Sequence, residues 1–417
     1  MNSSKLSKER SNALFCYVML GITCVSLVEL CTGGKFGYYF RANTTGTFMD
    51  LFESIILNKS FGGKPGIYPP VPDLVYKCLA HMVDFSFIDS SLSVLEQGSQ
   101  LRADISGAVY IMCHILYFVL PFFVMLLFSI NGSLKKKIAY ALLLSLSGIV
   151  FWSLERGNCI IYAFLFSFLF VFLYSLGDRK SANLAYFCLA LAASIKLYPA
   201  IFGVVLLEKR DWKGAMVCFA EFVGLYVVAF FCCGYSFRYF GGNFFNVLAW
   251  GEGKQLSAYS YSLKNLILIG DAIVRKLSIL PFALNTRLLI RLAQIVCMLL
   301  CLWVYHDTRR YWEKLFCLSL LCIYIPSISY QYALLFLIIP LVYFLNEKDV
   351  GPFDGFYDVA FAVFVSLLVI PVQFPIKITL VVHQLLLLAM CACIGIETLR
   401  DRRQRLCQSN STCRHGA

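Results

Sequence analysis

The chain has 417 residues, of which 59% are hydrophobic, 16% aromatic and only 14% charged, and its mean hydropathy is +0.73. Soluble domains carry roughly 25% charged residues, so this composition excludes an ordinary soluble protein and points to a polytopic membrane protein. The formal net charge of +12 raises nucleic acid as a partner, but the basic residues gather at the ends of apolar runs and read as topology signals, so no nucleic acid is expected.

The first apolar run, Ala13 to Cys31, is too long for the core of a signal peptide and has no A-x-A-like exit, so it reads as a retained span. Further apolar runs lie near 107–130, 137–154, 158–176, 214–234, 285–305, 313–328, 330–346, 356–373 and 375–397. Basic residues collect at alternate ends: Lys5, Lys8 and Arg10; Lys135 to Lys137; Arg179 and Lys180; Lys209, Arg210 and Lys213; Arg309, Arg310 and Lys314; Lys348; and the run from Arg400 to Arg405. The positive-inside rule makes these ends cytoplasmic. Residues 1–12 are then a cytoplasmic N-terminus and 398–417 a cytoplasmic basic tail.

Two long outer segments follow, 32–106 and 235–285, with Gly-Gly pairs at 62–63 and 241–242 as expected turns. Within the first, "TTGTFMDLFESIILNKSFGG" predicts a capped amphipathic helix with Phe48, Leu51, Phe52, Ile55 and Ile56 on its apolar side, lying in the membrane interface. Asp50 falls in its first turn, where the helix dipole favours a carboxylate. Pro69, Pro70 and Pro72 then stiffen the approach to a second short helix.

The turn "SLERGN", 153–158, is placed outside, and Arg156 is its single basic residue. Its readings are an ion pair with Glu155, a lipid headgroup contact, or an anion ligand, because guanidinium offers forked donors that match phosphate oxygens. The run Asn183 to Leu207 is uncharged except for Lys196, yet both of its flanks carry cytoplasmic basic clusters. One crossing cannot satisfy both, so the run is expected to go up and return, with a tip near "KLYP" where Pro199 breaks the helix. Each arm has about 12 residues, roughly 18 Å, against a hydrocarbon core of about 30 Å. A lysine at that depth costs about 2.5 to 3.5 kcal/mol to insert, so Lys196 should face a wet cavity or an anion, with snorkelling at a helix end as the plainer reading. Counting the hairpin twice gives about 12 spans.

Eighteen cysteines lie mostly in apolar runs and read as small hydrophobic residues. With no CxxC pair, no HExxH and five scattered histidines, no metal site is expected; His114 and His383 read as packed core.

The stretch 155–215, with "ERGN" followed by "KLYP", resembles the central signature of glycosyltransferase family 87. "IYPPVPDLV" at 67–75, "YSYSLKNLI" at 259–267 and "PSISYQYALLFLIIPL" at 326–341 resemble its other elements in order and spacing. The resemblance covers most of the chain from about residue 45 to 345. It implies an all-α GT-C-type bundle of about 12 transmembrane helices, some short and one a re-entrant-like hairpin, forming one domain over 1–417. The implied activity is inverting transfer of a hexose, mannose most often in the family, from a polyprenyl phosphate to a lipid or glycan acceptor at the outer face of the plasma membrane. It also implies that the catalytic base is an acidic residue of the first outer loop, which carries over to Asp50. Related loops commonly follow that Asp with Val-Tyr or Tyr, whereas this one reads "FMDLFESI", leaving Glu53 and, further off, Asp73 as rivals.

The chemistry needs a base for the acceptor hydroxyl and cations for the departing phosphate. Asp50 suits the first role, and Arg156 and Lys196 the second without a cofactor. Arg287, Arg291 and Lys264 are further phosphate ligands, and Asn158, Tyr68, Tyr198, Tyr330 and Gln331 are pocket candidates, although interfacial tyrosines are also common as belts. A polymerase or ligase acting on lipid-linked glycans uses similar groups. A lipid-linked sugar transporter should show inverted repeats and carboxylates deep in spans, and the sequence shows neither. The oligomeric state is not legible.

Overall fold

The computed structural model describes residues 3–31, 47–59, 65, 68–249, 257, 260–276, 285–348, 350–366 and 378–414. Among them the regular elements are helical, apart from one isolated antiparallel bridge between Ser260 and Tyr330. In chain order these are α1 (Ser3–Cys31), α2 (Met49–Leu57), α3 (Pro70–Ala80), α4 (Val94–Ala103), α5 (Ile105–Ser129), α6 (Leu134–Ser145), α7 (Gly148–Arg156), α8 (Ile160–Ser175), α9 (Arg179–Ile195), α10 (Val204–Glu208), α11 (Trp212–Cys232) and α12 (Phe240–Ala249). They continue as α13 (Leu263–Lys276), α14 (Thr286–Asp307), α15 (Tyr311–Tyr324), α16 (Ile338–Asn346), α17 (Asp354–Ser366) and α18 (Ile378–Arg414).

Four described helices are long and apolar enough to cross a bilayer: α5, α11, α14 and residues Ile378–Arg405 of α18. The expected span at 137–154 is instead a bent pair, α6 and α7, meeting at 45°. The residues at the bend, Ser145, Leu146, Ser147 and Gly148, explain it, since serine and glycine are weak helix formers. The expected span at 330–346 opens as a 3-10 helix, Gln331–Leu337, before α16. The expected tail at 398–417 continues α18 as far as Arg414. The Gly62–Gly63 turn lies outside the described residues, and Gly241 and Gly242 are not a turn but sit inside α12. There the ring of Phe240 packs against Phe230, and those of both Phe240 and Phe244 against Tyr226, holding the helix in place despite the glycines.

The chain divides into two compact units, 33–254 and 1–32 with 255–417. In the first, α8 packs along α9, and α9 along α11. The sequence of α8, IIYAFLFSFLFVFLYS, is apolar on all sides, as an enclosed helix requires. Phe118 and Phe122 of α5 stack on each other and meet Phe164 of α8 tilted and edge-on, and Phe164 in turn meets Phe168. In the second unit α15 is buried along nearly its whole length, and α1 packs on α17. Its carboxylates were scarcely visible as span residues: Glu313, Asp354 and Glu397 converge on the Arg310 guanidinium at 3.6, 2.7 and 3.8 Å.

Both core histidines are as expected. His114 is bonded by Tyr162 Oη at 3.1 Å, and His383 by Tyr261 Oη at 2.9 Å.

Candidate active site

The described residues of 47–106 belong to the same unit as the Arg156 turn. Helix α2 begins at Met49, and its apolar side is used within the protein: Phe52 and Ile55 are fully buried in a cluster with Tyr76, Ala80, Leu101, Cys159 and Ala163. The expectation that this face lies in the membrane interface is therefore corrected. Proline residues at the start of α3 fix its first turn as the sequence predicts.

This packing leaves Asp50 on the side facing the 156–158 turn. Its Oδ1 accepts from Arg156 Nη2 at 2.6 Å, and its Oδ2 from Asn158 Nδ2 at 2.7 Å. The amide orientation of Asn158 is set by its other end, because Oδ1 accepts from the backbone N–H of Ile160 at 3.0 Å. The same Nδ2 reaches Tyr68 Oη at 3.4 Å. Lys196 then lies with its ammonium 4.1 Å from the centre of the Tyr68 ring. Five residues from four separate stretches of sequence thus form one chain of contacts: Arg156, Asp50, Asn158, Tyr68 and Lys196. Burial pushes the Tyr68 phenol well above its usual range, so it stays protonated and can both donate and accept.

The ion pair foreseen for Arg156 is made with Asp50, while Glu155 turns to another partner, Thr47 Oγ1, at 3.0 Å. Gly157 makes the turn possible. It caps α7 in the left-handed region at φ 66°, and a Cβ there would stand 2.9 Å from Leu51 Cβ and 3.3 Å from Phe48 Cα. Gly157→Ala is expected to cost about 1 to 2 kcal/mol of stability from backbone strain and to push α2 off the turn. Thermal melting together with transfer rate checks this.

Around Lys196 the hairpin differs in detail from expectation. The first arm, α9, has 17 residues and starts at Arg179, capped by Asp178. Lys196 follows its last residue in extended backbone, φ −141° and ψ 134°, and the return begins as a 3-10 helix, Tyr198–Gly203, with Pro199 in its first turn. The α-helix ends at Ile195, four residues ahead of Pro199, whose nitrogen has no hydrogen for that carbonyl and whose ring crowds it. Tyr198 is half-buried on this turn.

Glu53 lies one turn along α2 from Asp50. Burial first, and the neighbouring Asp50 carboxylate second, push its carboxyl above the usual range, with Arg156 acting against them. Asp73 is buried in α3 and accepts from Tyr235 Oη at 2.8 Å. Lys264, Tyr330, Gln331, Arg287 and Arg291 belong to the other unit. There Lys264 and Gln331 are buried, Tyr330 bridges to Ser260, and Arg287 and Arg291 are exposed on α14.

Sequence reading gave no role to Thr47 or Arg102. Arg102 Nη1 donates to the Thr47 carbonyl at 2.8 Å. The only signal for Thr47 was its place just ahead of the α2 cap, and for Arg102 there was none, since it is 55 residues away.

Fold and site define a membrane protein, helical in its described elements, that holds one carboxylate between an arginine and an asparagine beside a lysine. The chain belongs to glycosyltransferase family 87, whose profile matches residues 67–340. It is therefore a membrane glycosyltransferase. The match includes Tyr68, Arg156, Asn158 and Lys196, while Asp50 and Glu53 lie upstream of it. No curated protein and no solved structure matches the chain.

Proposed function

We propose that the protein moves a hexose, mannose in the first instance, from a polyprenyl phosphate to a lipid or glycan acceptor at the outer face of the plasma membrane, with inversion. The supporting observation is the seating of Asp50 on the Arg156–Asn158 turn next to Lys196. In the reaction, an acceptor hydroxyl oxygen bonds to the anomeric carbon as that carbon's bond to the phosphate oxygen breaks. Asp50 takes the hydroxyl proton, and the bond's electron pair leaves with the polyprenyl phosphate.

An ionised carboxylate has about four acceptor positions. Arg156 and Asn158 use one on each oxygen, which fixes the group and leaves a lone pair for the substrate. Lys196 neutralises the charge that develops on the phosphate, and Arg156 extends the positive field over the same ground. Asp50 is preferred to Glu53 because the orienting hydrogen bonds from Arg156 and Asn158 are made to Asp50. Tyr198 remains a pocket residue in this reading. No cofactor is called for.

The test is transfer by the purified protein in vesicles, given radiolabelled polyprenyl-phosphate mannose and mannoside or lipid acceptors. Expected are a product of inverted anomeric configuration and a Glu53→Gln variant that keeps activity within a few-fold of native. Retention of configuration, or movement of the lipid with no bond cleaved, defeats the reading.

A further inference from the structure

Asp50 is the second residue of a helix that does not organise its own beginning. The residue ahead of α2, Phe48, offers no side-chain cap and is held in the left-handed region at φ 55° and ψ 21°. For a bulky L residue this backbone is strained and persists only where the surroundings enforce it. The enforcing contacts come from distant stretches. Glu155 supplies two of them: its backbone carbonyl accepts from the Phe48 N–H at 2.5 Å, and its side-chain Oε1 accepts from Thr47 Oγ1 at 3.0 Å. Arg102 adds a third by donating to the Thr47 carbonyl at 2.8 Å.

Residues 47–50 and 155–158 are therefore laced together side by side. Position 155 holds 47 and 48, while 156 and 158 hold 50. Glu155 itself is buried, and its carboxylate accepts its hydrogen bond from Thr47 rather than touching the bonds that Arg156 and Asn158 make to Asp50. We propose that Glu155 is a positioning residue for the transfer reaction: through Thr47 and the strained Phe48 it sets where the Asp50 carboxylate stands, and Arg102 braces the same segment from α4. The inference rests on Asp50 as the base. A base displaced by about 1 Å can lose roughly 100-fold in rate, so a group that touches no substrate governs kcat here.

The experiment compares Glu155→Ala, Glu155→Gln and Thr47→Val in the polyprenyl-phosphate mannose assay, with hydrogen exchange of the same variants in vesicles. Glu155→Ala is expected to lower kcat about tenfold or more, to leave the donor KM within twofold, and to speed amide exchange over 47–52 while α8 keeps native protection. Glu155→Gln, whose amide oxygen still accepts from Thr47, is expected to recover kcat to within about threefold and native exchange. If Glu155→Ala does not fold, Thr47→Val removes the same bond from its other end and carries the same expectation. Unchanged exchange over 47–52, or a glutamine variant as impaired as the alanine one, overturns the inference. Asp50→Asn run alongside separates the two ideas: if that variant transfers sugar at the native rate, the base assignment fails, while the exchange result still decides whether Glu155 orders the segment.

Discussion

Asp50→Asn should lower kcat for sugar transfer by about 1,000-fold, in the middle of the range for removing a general base, with the donor KM changed by no more than a few-fold. Asparagine has nearly the same shape and keeps one oxygen for Arg156 or Asn158, so α2 stays seated. The stability consequence is small. The Arg156 and Asp50 side chains are 31% and 17% exposed, and an ion pair that water can reach contributes at most about 1 kcal/mol. A thousandfold loss corresponds to about 4 kcal/mol of barrier, far more than a folding effect of that size produces. Initial rates and melting curves on the same vesicles separate the two. Transfer at the native rate in the asparagine variant rules out Asp50 as the proton acceptor.

For Lys196→Ala the expected result is a loss of roughly 100-fold or more in kcat/KM, the usual effect of deleting one preorganised donor from a developing oxyanion. Part of the change falls on binding, so donor KM should rise as kcat falls. The ammonium also rests on the Tyr68 ring, a contact of up to about 2 kcal/mol when shielded from water. Lys196→Arg keeps the charge and the ring contact and should recover a portion of the loss. If the alanine and arginine variants are equally impaired, positive charge at this position is not what the reaction uses. If the alanine variant matches native kinetics, the phosphate is held elsewhere.

The helical class was legible because apolar runs and the placement of basic residues depend only on local sequence. The helix carrying Asp50, its apolar positions and the break beside Lys196 were legible for the same reason. What covers the apolar side of α2 was not. Phe52 and Ile55 suit a membrane surface as well as Tyr76 and Leu101, and periodicity does not distinguish lipid from protein. The bend between α6 and α7 was missed because hydropathy averages over Ser145 to Gly148. At the site, the residues were visible one by one but their pairing was not: Arg156 meets Asp50 across 106 positions and passes over its immediate neighbour Glu155. The bracing by Arg102 and Thr47 depends on backbone atoms, which every residue has, so no residue type announces it.

The place of Lys196 at the end of α9 carries one more consequence. The last carbonyls of a helix present a partial negative pole, and the side of this ammonium is covered by a phenol ring. Among the described residues no carboxylate stands within ion-pair distance of it. The helix pole and the phenol quadrupole lower the cost of its charge, and the Asp50 carboxylate acts on it from beyond ion-pair distance. Among the described residues, an anion arriving at that spot has no ion-paired carboxylate to displace from the lysine.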